Sequence, residues 1–385
     1  MAQAAIKQNI ESPLAKYGQF VLVLQGGGAL GAYQAGAYQA LHEAGIEPDW
    51  IIGTSIGAIN ASLIAGNQLK DRLKRLTQFW ETVEHNPLLK IAGSWPIVGQ
   101  AASNALATAF GVSGFFEPNL RAHFGNHVKL GAEEAAYYST APLKKTLGNL
   151  VDFDQVNDGP VRLTVGAANV RTSQMRYFDS RDMALDVRHV MASGALPPAF
   201  PAVRIDDELY WDGGVLSNTP VEAVFDDKPR RDGLVFAVHV WNPNGPEPDS
   251  ILKVMNRQKD LQYSSRAGTL IARQRQIHRL RHIISELAAR LPEEVLKDNY
   301  VREMASYGCP TRVHVVRLLA PQVRGEDHAK DIDFSAGGIK TRWQAGYADA
   351  AKVLKAQPWA APVDPIEGFI LHEANADEMQ DPPPP

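Results

Sequence analysis

The chain has 385 residues, 45% hydrophobic and 21% charged, a balance that suits a globular protein with one large domain and an appendage. A formal net charge of −4 argues against a nucleic-acid partner, because phosphate binding shows as a basic excess. The single cysteine, Cys309, excludes an intrachain disulfide and a cysteine-built metal cluster, and reads as a small apolar residue beside the turn Gly308-Cys309-Pro310.

Residues 1–18 read as a polar arm carrying Lys7, Glu11 and Lys16, without the apolar centre of a secretory leader, so a cytoplasmic location is expected. Phe20 to Leu24 is a continuous apolar strand of the kind buried on both faces of a parallel sheet. It runs into Gly26-Gly27-Gly28-Ala29-Leu30-Gly31, after which Leu30, Tyr33, Ala37 and Leu41 recur at helical spacing until Gly45. Trp50-Ile51-Ile52 is a second strand, Gly53-Thr54-Ser55-Ile56-Gly57 a second glycine turn, and Ala58 to Ala65 a second helix. Strand, tight turn and helix start, twice over, make a βαβ unit whose two turns lie side by side at one sheet edge. Leu69 to His85 is an amphipathic helix with Leu73, Leu76, Phe79, Trp80 and Val83 on one face.

The uncharged run Ile91 to Phe116 is long enough for a membrane span. Pro96, several glycines and interspersed Ser, Asn and Gln break it, so it is expected as a buried or lid-like segment near the site. Tyr137 to Leu150 reads as a helix, Val161 to Ala168 as a strand with Met175 to Phe178 as its partner, and Val187 to Ala195 as a short helix before Pro197-Pro198. Val203 to Trp211 carries a hairpin around Asp206-Asp207, and Leu234 to Trp241 is another buried strand. Ile251 to Leu291 is a long helical pattern interrupted near Gly268, Val313 to Leu318 a strand and Ile339 to Leu354 a last helix. Beyond Gln357 the Pro-rich tail is expected to be disordered. The expected fold is α/β, a three-layer sandwich with a mainly parallel central sheet. Its domains are an arm (1–18), a catalytic domain (19–245), a mostly helical extension with one strand (246–356) and a tail (357–385).

Ser55 lies in G-x-S-x-G between a strand and a helix, where a sharp turn lifts the hydroxyl above the sheet and aims the Ile56 N–H at the same space. A plain turn with a capping serine would have the same five residues; the flanking strand and helix favour the nucleophile elbow. The run Gly26 to Gly31 also fits the dinucleotide fingerprint G-x-G-x-x-G. That motif expects an acid at the end of the second strand, where this chain has Gly53-Thr54-Ser55, with Asp49 before the strand instead. The alternative is an oxyanion hole made of bare amides. For a base, His239 would complete a Ser-Asp-His order, but it sits mid-strand among Ala237, Val238 and Val240, where a core histidine is the commoner explanation. Asp212, in Tyr210-Trp211-Asp212-Gly213-Gly214, ends an apolar strand in a two-glycine turn that exposes a carboxylate, although an Asp capping a turn has the same look.

Together and in this order, Gly26-Gly27-Gly28-Ala29-Leu30-Gly31, Gly53-Thr54-Ser55-Ile56-Gly57 and Asp212-Gly213-Gly214 resemble the patatin-like phospholipase family. The resemblance extends to Ala192-Ser193-Gly194-Ala195-Leu196-Pro197-Pro198-Ala199-Phe200-Pro201 and to Asn218-Thr219-Pro220, and covers residues 18–242. It implies a serine–aspartate dyad without histidine: Ser55 as nucleophile, Asp212 as general base, and Gly26, Gly27 and Gly28, with Ile56, as oxyanion donors. Gly31, Gly53, Gly57, Gly213 and Gly214 complete the motifs. No cofactor and no metal are implied, and the substrates are lipid acyl esters. Family members commonly carry Arg or Lys where this chain has Leu30, which loosens the expectation of strict phospholipid specificity. A polyhydroxyalkanoate-type polyester depolymerase and an acyltransferase using the same serine are the alternatives.

Beyond residue 245 the chain resembles the extension found in a bacterial subset of the family. Ile277, Leu280, Ile284, Leu287 and Leu291 form a narrow apolar seam flanked by Arg273, Arg275, Arg279 and Arg281. A helix packed on the catalytic domain is expected, with a homodimer through residues 270–291 or peripheral contact with an anionic inner membrane as the other readings.

Overall fold

A computed structural model describes residues 15–84, 107–124, 127, 129–323, 328–364 and 366–373. The near-continuous apolar runs at β1 (Gln19–Leu24) and β2 (Trp50–Gly53) take interior places in the sheet, where both faces are covered. The helix α1 (Ala32–Glu43) carries the chain between them, so the strands run parallel with Leu24 opposite Gly53. That register brings the two glycine turns together at the carboxyl edge, as the sequence predicts. The helices α2 (Ile56–Ala65) and α3 (Arg72–Glu84) follow, the latter burying Leu76, Phe79, Trp80 and Val83.

A short ribbon of β3 (Glu117–Pro118) and β4 (Tyr138–Ser139) precedes α4 (Ala141–Leu150) and α5 (Phe153–Asp158). β5 (Arg162–Asn169) pairs parallel with β2 and antiparallel with β6 (Met175–Asp179). After α6 (Val187–Ser193), β7 (Val203–Ile205) and β8 (Glu208–Asp212) form the expected hairpin, with Asp206 and Asp207 both left-handed at φ 46° and 64°. The remaining elements are α7 (Glu222–Asp226), β9 (Gly233–His239), α8 (Ile251–Ala288), α9 (Glu293–Leu296), α10 (Asn299–Ser306), β10 (Val313–Leu319), α11 (Ala336–Ala356) and β11 (Phe369–Glu373). The sheet order is β11-β10-β9-β1-β2-β5-β8-β7, with β6 also on β5, and the pairings from β11 to β5 are parallel. One sheet face packs Leu22, Leu24, Ile51, Phe236 and Val238 under α1, α2 and α11. The other packs Val21, Val23, Trp50, Ile52 and Val235 under α7 and Ile271 of α8. These are the three layers of the expected α/β sandwich.

Two expectations need correction. The segment after Gln357 is not wholly disordered. Trp359 is buried edge-on against Phe236, ring centres 5.5 Å apart, and β11 adds a parallel strand to β10. Prolines dominate that segment's composition, but Phe369-Ile370-Leu371 is apolar enough to take the open edge of β10. The extension is joined to the same sheet, since β10 pairs with β9, and α11 packs along α1. Finally, α8 runs unbroken through Gly268, and its leucine seam faces outward. Leu280 and Leu287 are exposed while His278 and His282 are buried, because the helix turns its histidines onto α7 and the β10–β11 edge. Arg275 and Arg279 lie near Glu367.

The polar arm up to Leu14 and the stretch 91–106 of the uncharged run lie outside the described residues. The rest of that run, Ala107 to Phe116, is a lid-like segment: Thr108, Phe115 and Phe116 line the main cavity. Among the described residues no helix is long and apolar enough to cross a membrane.

The tail's packing has a measurable weight. Trp359→Ala should lower unfolding free energy by about 3–5 kcal/mol, the usual cost of a large-to-small core change. Denaturant unfolding checks this; a loss below about 1 kcal/mol, the scale of an ordinary surface change, would show the tail to be dispensable.

Candidate active site

Ser55 caps α2 with φ 57° and ψ −125°, a left-handed conformation that a serine adopts only when its surroundings impose it. Its N–H donates to the Ser193 carbonyl oxygen at 3.1 Å and to Ser193 Oγ at 3.0 Å, and Ser193 Oγ in turn donates to the Gly166 carbonyl at 2.6 Å. The two motif glycines make the turn sterically feasible. A Cβ on Gly53 would lie 2.4 Å from the Gly57 carbonyl carbon, and one on Gly57 would lie 2.2 Å from the Leu24 oxygen. The helix start can therefore pass directly over the ends of β1 and β2.

Asp212 ends β8 beside β5, across the sheet from the turn holding Ser55. Its carboxylate is 2% exposed, accepts the Gly214 N–H at 2.7 Å and lies within hydrogen-bonding reach of the Ser55 hydroxyl. Burial raises its pKa to about 6, with the Ser55 hydroxyl and the Gly214 N–H pulling the other way. Gly213 permits this depth, since a Cβ there would lie 2.4 Å from the Gly166 oxygen.

The first glycine turn is held from behind. The Gly26 carbonyl accepts Asn218 Nδ2 at 3.1 Å and Trp241 Nε1 at 2.8 Å. In a trans peptide the N–H points opposite the C=O, so these bonds turn the Gly27 N–H away from Asn218 and Trp241. The Gly26 N–H donates to the Asn218 carbonyl at 3.1 Å. This removes Gly26 from the expected oxyanion donors, because a committed amide has no hydrogen to offer. Gly27, Gly28 and Ile56 remain. Gly28 and Ile56 open helical turns, whose first N–H groups lack intrahelical acceptors. Gly31 lets the turns touch: a Cβ there would lie 2.5 Å from Ile56 Cγ1.

Gly26, Gly27, Gly28, Ser55, Ile56, Asp212 and Gly214 border one cavity of about 190 Å³, closed by Phe115, Phe116, Tyr138, Phe200, Phe334 and Tyr263. The lining holds no lysine or arginine among the described residues. His239 is absent from it. That ring is buried at the end of β9, its pKa pushed down to about 3 by burial and by Arg317. The triad reading therefore finds no geometric support. Leu30 is buried in a crevice with Tyr33, Val240 and Arg342. Cys309 is buried beside the Thr311 hydroxyl, and no group of three or more potential metal ligands occurs among the described residues.

Several supporting residues escaped the sequence reading. Gln25 is fully buried and its Oε1 accepts the Val240 and Trp241 N–H groups at 2.7 and 3.0 Å, while its Nε2 donates to Thr219 Oγ1 at 2.7 Å. A glutamine between an apolar strand and a glycine run was the available signal, since a polar residue there needs buried partners. Ser193 and Asn218 stood inside motifs already quoted, but nothing local in those motifs specifies what they hold.

A family profile described as Patatin-like phospholipase matches residues 22–225, and another described as Patatin phospholipase matches residues 261–366. Lysophospholipase nte1 of Aspergillus terreus is 61% identical over 231 residues, 59% of this chain and 12% of that protein. An uncharacterized NTE family protein of Mycobacterium bovis is 28% identical over 223 residues, 56% of this chain and 29% of that protein. The chain thus spans well under a third of these curated relatives. Among solved structures, VipD from Legionella pneumophila covers 88% of this chain and 67% of its own at 16% identity, with a TM-score of 0.36.

The buried carboxylate should be visible in stability. Its pKa is raised from 3.8 to about 6, so the folded state holds a proton that the unfolded state has released between those values. Stability is greatest below the unfolded value and falls as pH rises through about 6, by about 3 kcal/mol for a shift of this size. Asp212→Asn should remove that slope and be at least as stable as the parent at pH 8. Urea unfolding of both proteins across pH 4 to 8 checks the sign; an Asn variant that is less stable at high pH would contradict it.

Proposed function

The chain belongs to the patatin-like phospholipase family, and from that premise we propose that it hydrolyses lipid acyl esters through an acyl-enzyme on Ser55, with Asp212 as general base. The observation that carries this reading is a buried carboxylate, its pKa raised to about 6, within hydrogen-bonding reach of a serine held in a left-handed turn. An ordinary aspartate near pKa 4 is a poor proton acceptor; raising it by two units brings it toward the range where general bases work.

In this mechanism Asp212 takes the Ser55 proton as Oγ forms its bond to the ester carbonyl carbon. The carbonyl π electrons move to oxygen, and the N–H groups of Gly27, Gly28 and Ile56 stabilise the resulting oxyanion at the positive end of α2. The intermediate collapses, the C–O bond to the alcohol breaks, and the alcohol leaves with the proton from Asp212. Water then attacks the acyl-enzyme, giving a proton to Asp212 and freeing the acid as that proton returns to Ser55. The strained turn and the clasped Gly26 carbonyl mean that the donors need no reorganisation when charge develops.

The ligand class follows from the lining. The rings of Phe115, Phe116, Tyr138, Phe200, Phe334 and Tyr263 suit an apolar acyl chain, and among the described residues no lining cation is placed to clasp a phosphate head group. Acyl chain recognition should therefore dominate head-group recognition. The same lining accepts a neutral polyester segment, so the depolymerase alternative stays with the hydrolase reading. A histidine within reach of Ser55 would favour the acyltransferase alternative, and His239 is absent from the cavity lining.

Ser55→Ala should abolish ester hydrolysis, by a factor on the order of 10⁴ or more, and a fluorophosphonate should label the parent at Ser55 alone; retained turnover or labelling elsewhere refutes the assignment. The parent kcat/KM should rise with pH through an apparent pKa near 6 and then level, because Asp212 must be deprotonated to accept the proton. A lysophospholipid and a monoacylglycerol of the same acyl chain should be cleaved within about tenfold of each other, a difference of about 1.4 kcal/mol. A much larger preference for the phospholipid would place a cation at the site.

A further inference from the structure

Part of the cavity wall, Tyr263, Asp331, Ile332 and Phe334, comes from the C-terminal extension. After β10 the chain makes a single helical turn, Lys330–Ile332, which packs against the turn Gly28–Gly31. Each charged residue of Lys330-Asp331-Ile332-Asp333 is committed to a helix of the extension. Lys330 pairs with Asp260 at 2.6 Å and Asp331 with Lys259 at 2.7 Å, a crossed double bridge to two consecutive residues of α8. Asp333, fully buried, pairs with Arg342 of α11 at 3.3 Å and accepts a second Arg342 N–H on its carbonyl at 2.9 Å. Asp331 and Ile332 both line the cavity, Ile332 as its apolar contribution, and Phe334 follows them there, packed against Phe115 with ring centres 5.5 Å apart.

The same segment meets the first glycine turn directly at Gly28 and indirectly through Trp241. A Cβ on Gly28 would lie 2.2 Å from the Asp331 carbonyl oxygen, so the loop and this segment are in direct backbone contact. Lys330 Nζ lies 5.4 Å from the centre of the Trp241 ring, whose N–H holds the Gly26 carbonyl and whose face stacks on Tyr263 of α8. Two of these ion pairs are almost wholly buried, an arrangement that fixes a unique register more than it adds stability.

We propose that residues 330–334 form a specificity strap, with Ile332 as the gauge that sets the length of acyl chain accepted beside Ser55 and the three ion pairs as its anchors. The proposal rests on Ser55 being the acylated residue. A hydrophobic wall discriminates chains by the volume it leaves, so its replacement should move the chain-length optimum without abolishing the chemistry. Lys259 is a positioning residue here: it does not line the cavity, and it acts only through Asp331.

The test uses the full chain and p-nitrophenyl esters from butyrate through octanoate and laurate to palmitate. Ile332→Trp should lower kcat/KM for laurate and palmitate by at least about tenfold while butyrate stays within about twofold, the range that one misplaced hydrophobic contact commands. Ile332→Ala should shift the optimum to a longer chain. Lys259→Met should broaden the profile and Lys259→Arg restore it, a pattern that a merely structural pair would not give. If thermal unfolding shows the Trp variant unfolded, the Ala variant decides alone. Profiles superimposable on the parent, with Ser55 still labelled by fluorophosphonate, overturn the strap. A parent in which Ser55 is not labelled overturns the nucleophile assignment instead, so the two failures are distinguishable.

Discussion

A carboxylate buried without a cation is the constraint on which this site depends. Asp212 is 2% exposed, forms no ion pair among the described residues, and is opposed only by one backbone N–H and the Ser55 hydroxyl. Such a group is costly, and the cost is the chemistry: the desolvation that destabilises the charged form is what makes it basic. A cation nearby would relieve the burial and lower the basicity together. Among the described residues the cavity lining holds no lysine or arginine, which is consistent with the base as well as with an apolar ligand.

Holding that carboxylate against a serine requires backbone elements closer than side chains permit. β5 and β8 run antiparallel so that Ala167 faces Asp212, while β2 lies parallel on the other side of β5. The approach of the turns is then limited by Cβ atoms, which is why glycine stands at 53, 57 and 213. Ser193 joins the two halves: its hydroxyl bonds Gly166 on β5, and its Oγ and carbonyl receive the Ser55 N–H. The strained serine is thus pinned to the same strand that carries the aspartate's neighbour. Strain of this kind persists only where several bonds over-determine it.

This division explains what was legible in the sequence. The strands β1, β2 and β9, the two glycine turns and the hairpin ending in Asp212 all announce themselves locally, through apolar runs and residues that only special backbone conformations require. What could not be read depends on partners far along the chain. The loss of the Gly26 amide follows from Asn218, the orientation of the Gly27 N–H from Trp241, and the seating of the loop from Gln25. The seam of α8 is instructive in a different way. Its period correctly indicates a helix, yet periodicity does not say which face meets the body, and burial falls on His278 and His282 rather than on Leu280 and Leu287. β11 was hidden by composition, because prolines on either side of Phe369-Ile370-Leu371 mask a strand that needs only the open edge of β10.

The position of the extension follows from the sheet. β10 adds to β9 on the side away from β2, so the chain leaving β10 emerges at the carboxyl edge, level with the glycine turns. α11 must then return across the face covered by α1, and the connection between β10 and α11 has to cross the mouth of the site. Its charged side chains pair with α8 and α11, while Asp331 and Ile332 border the cavity. Leu30 fits the same logic. Where the family commonly places a basic side chain in the first turn, this chain has an apolar one, and the nearby guanidinium is Arg342 from α11, bound to Asp333 rather than free to meet a ligand. Arg342 thereby braces the wall of the cavity through Asp333.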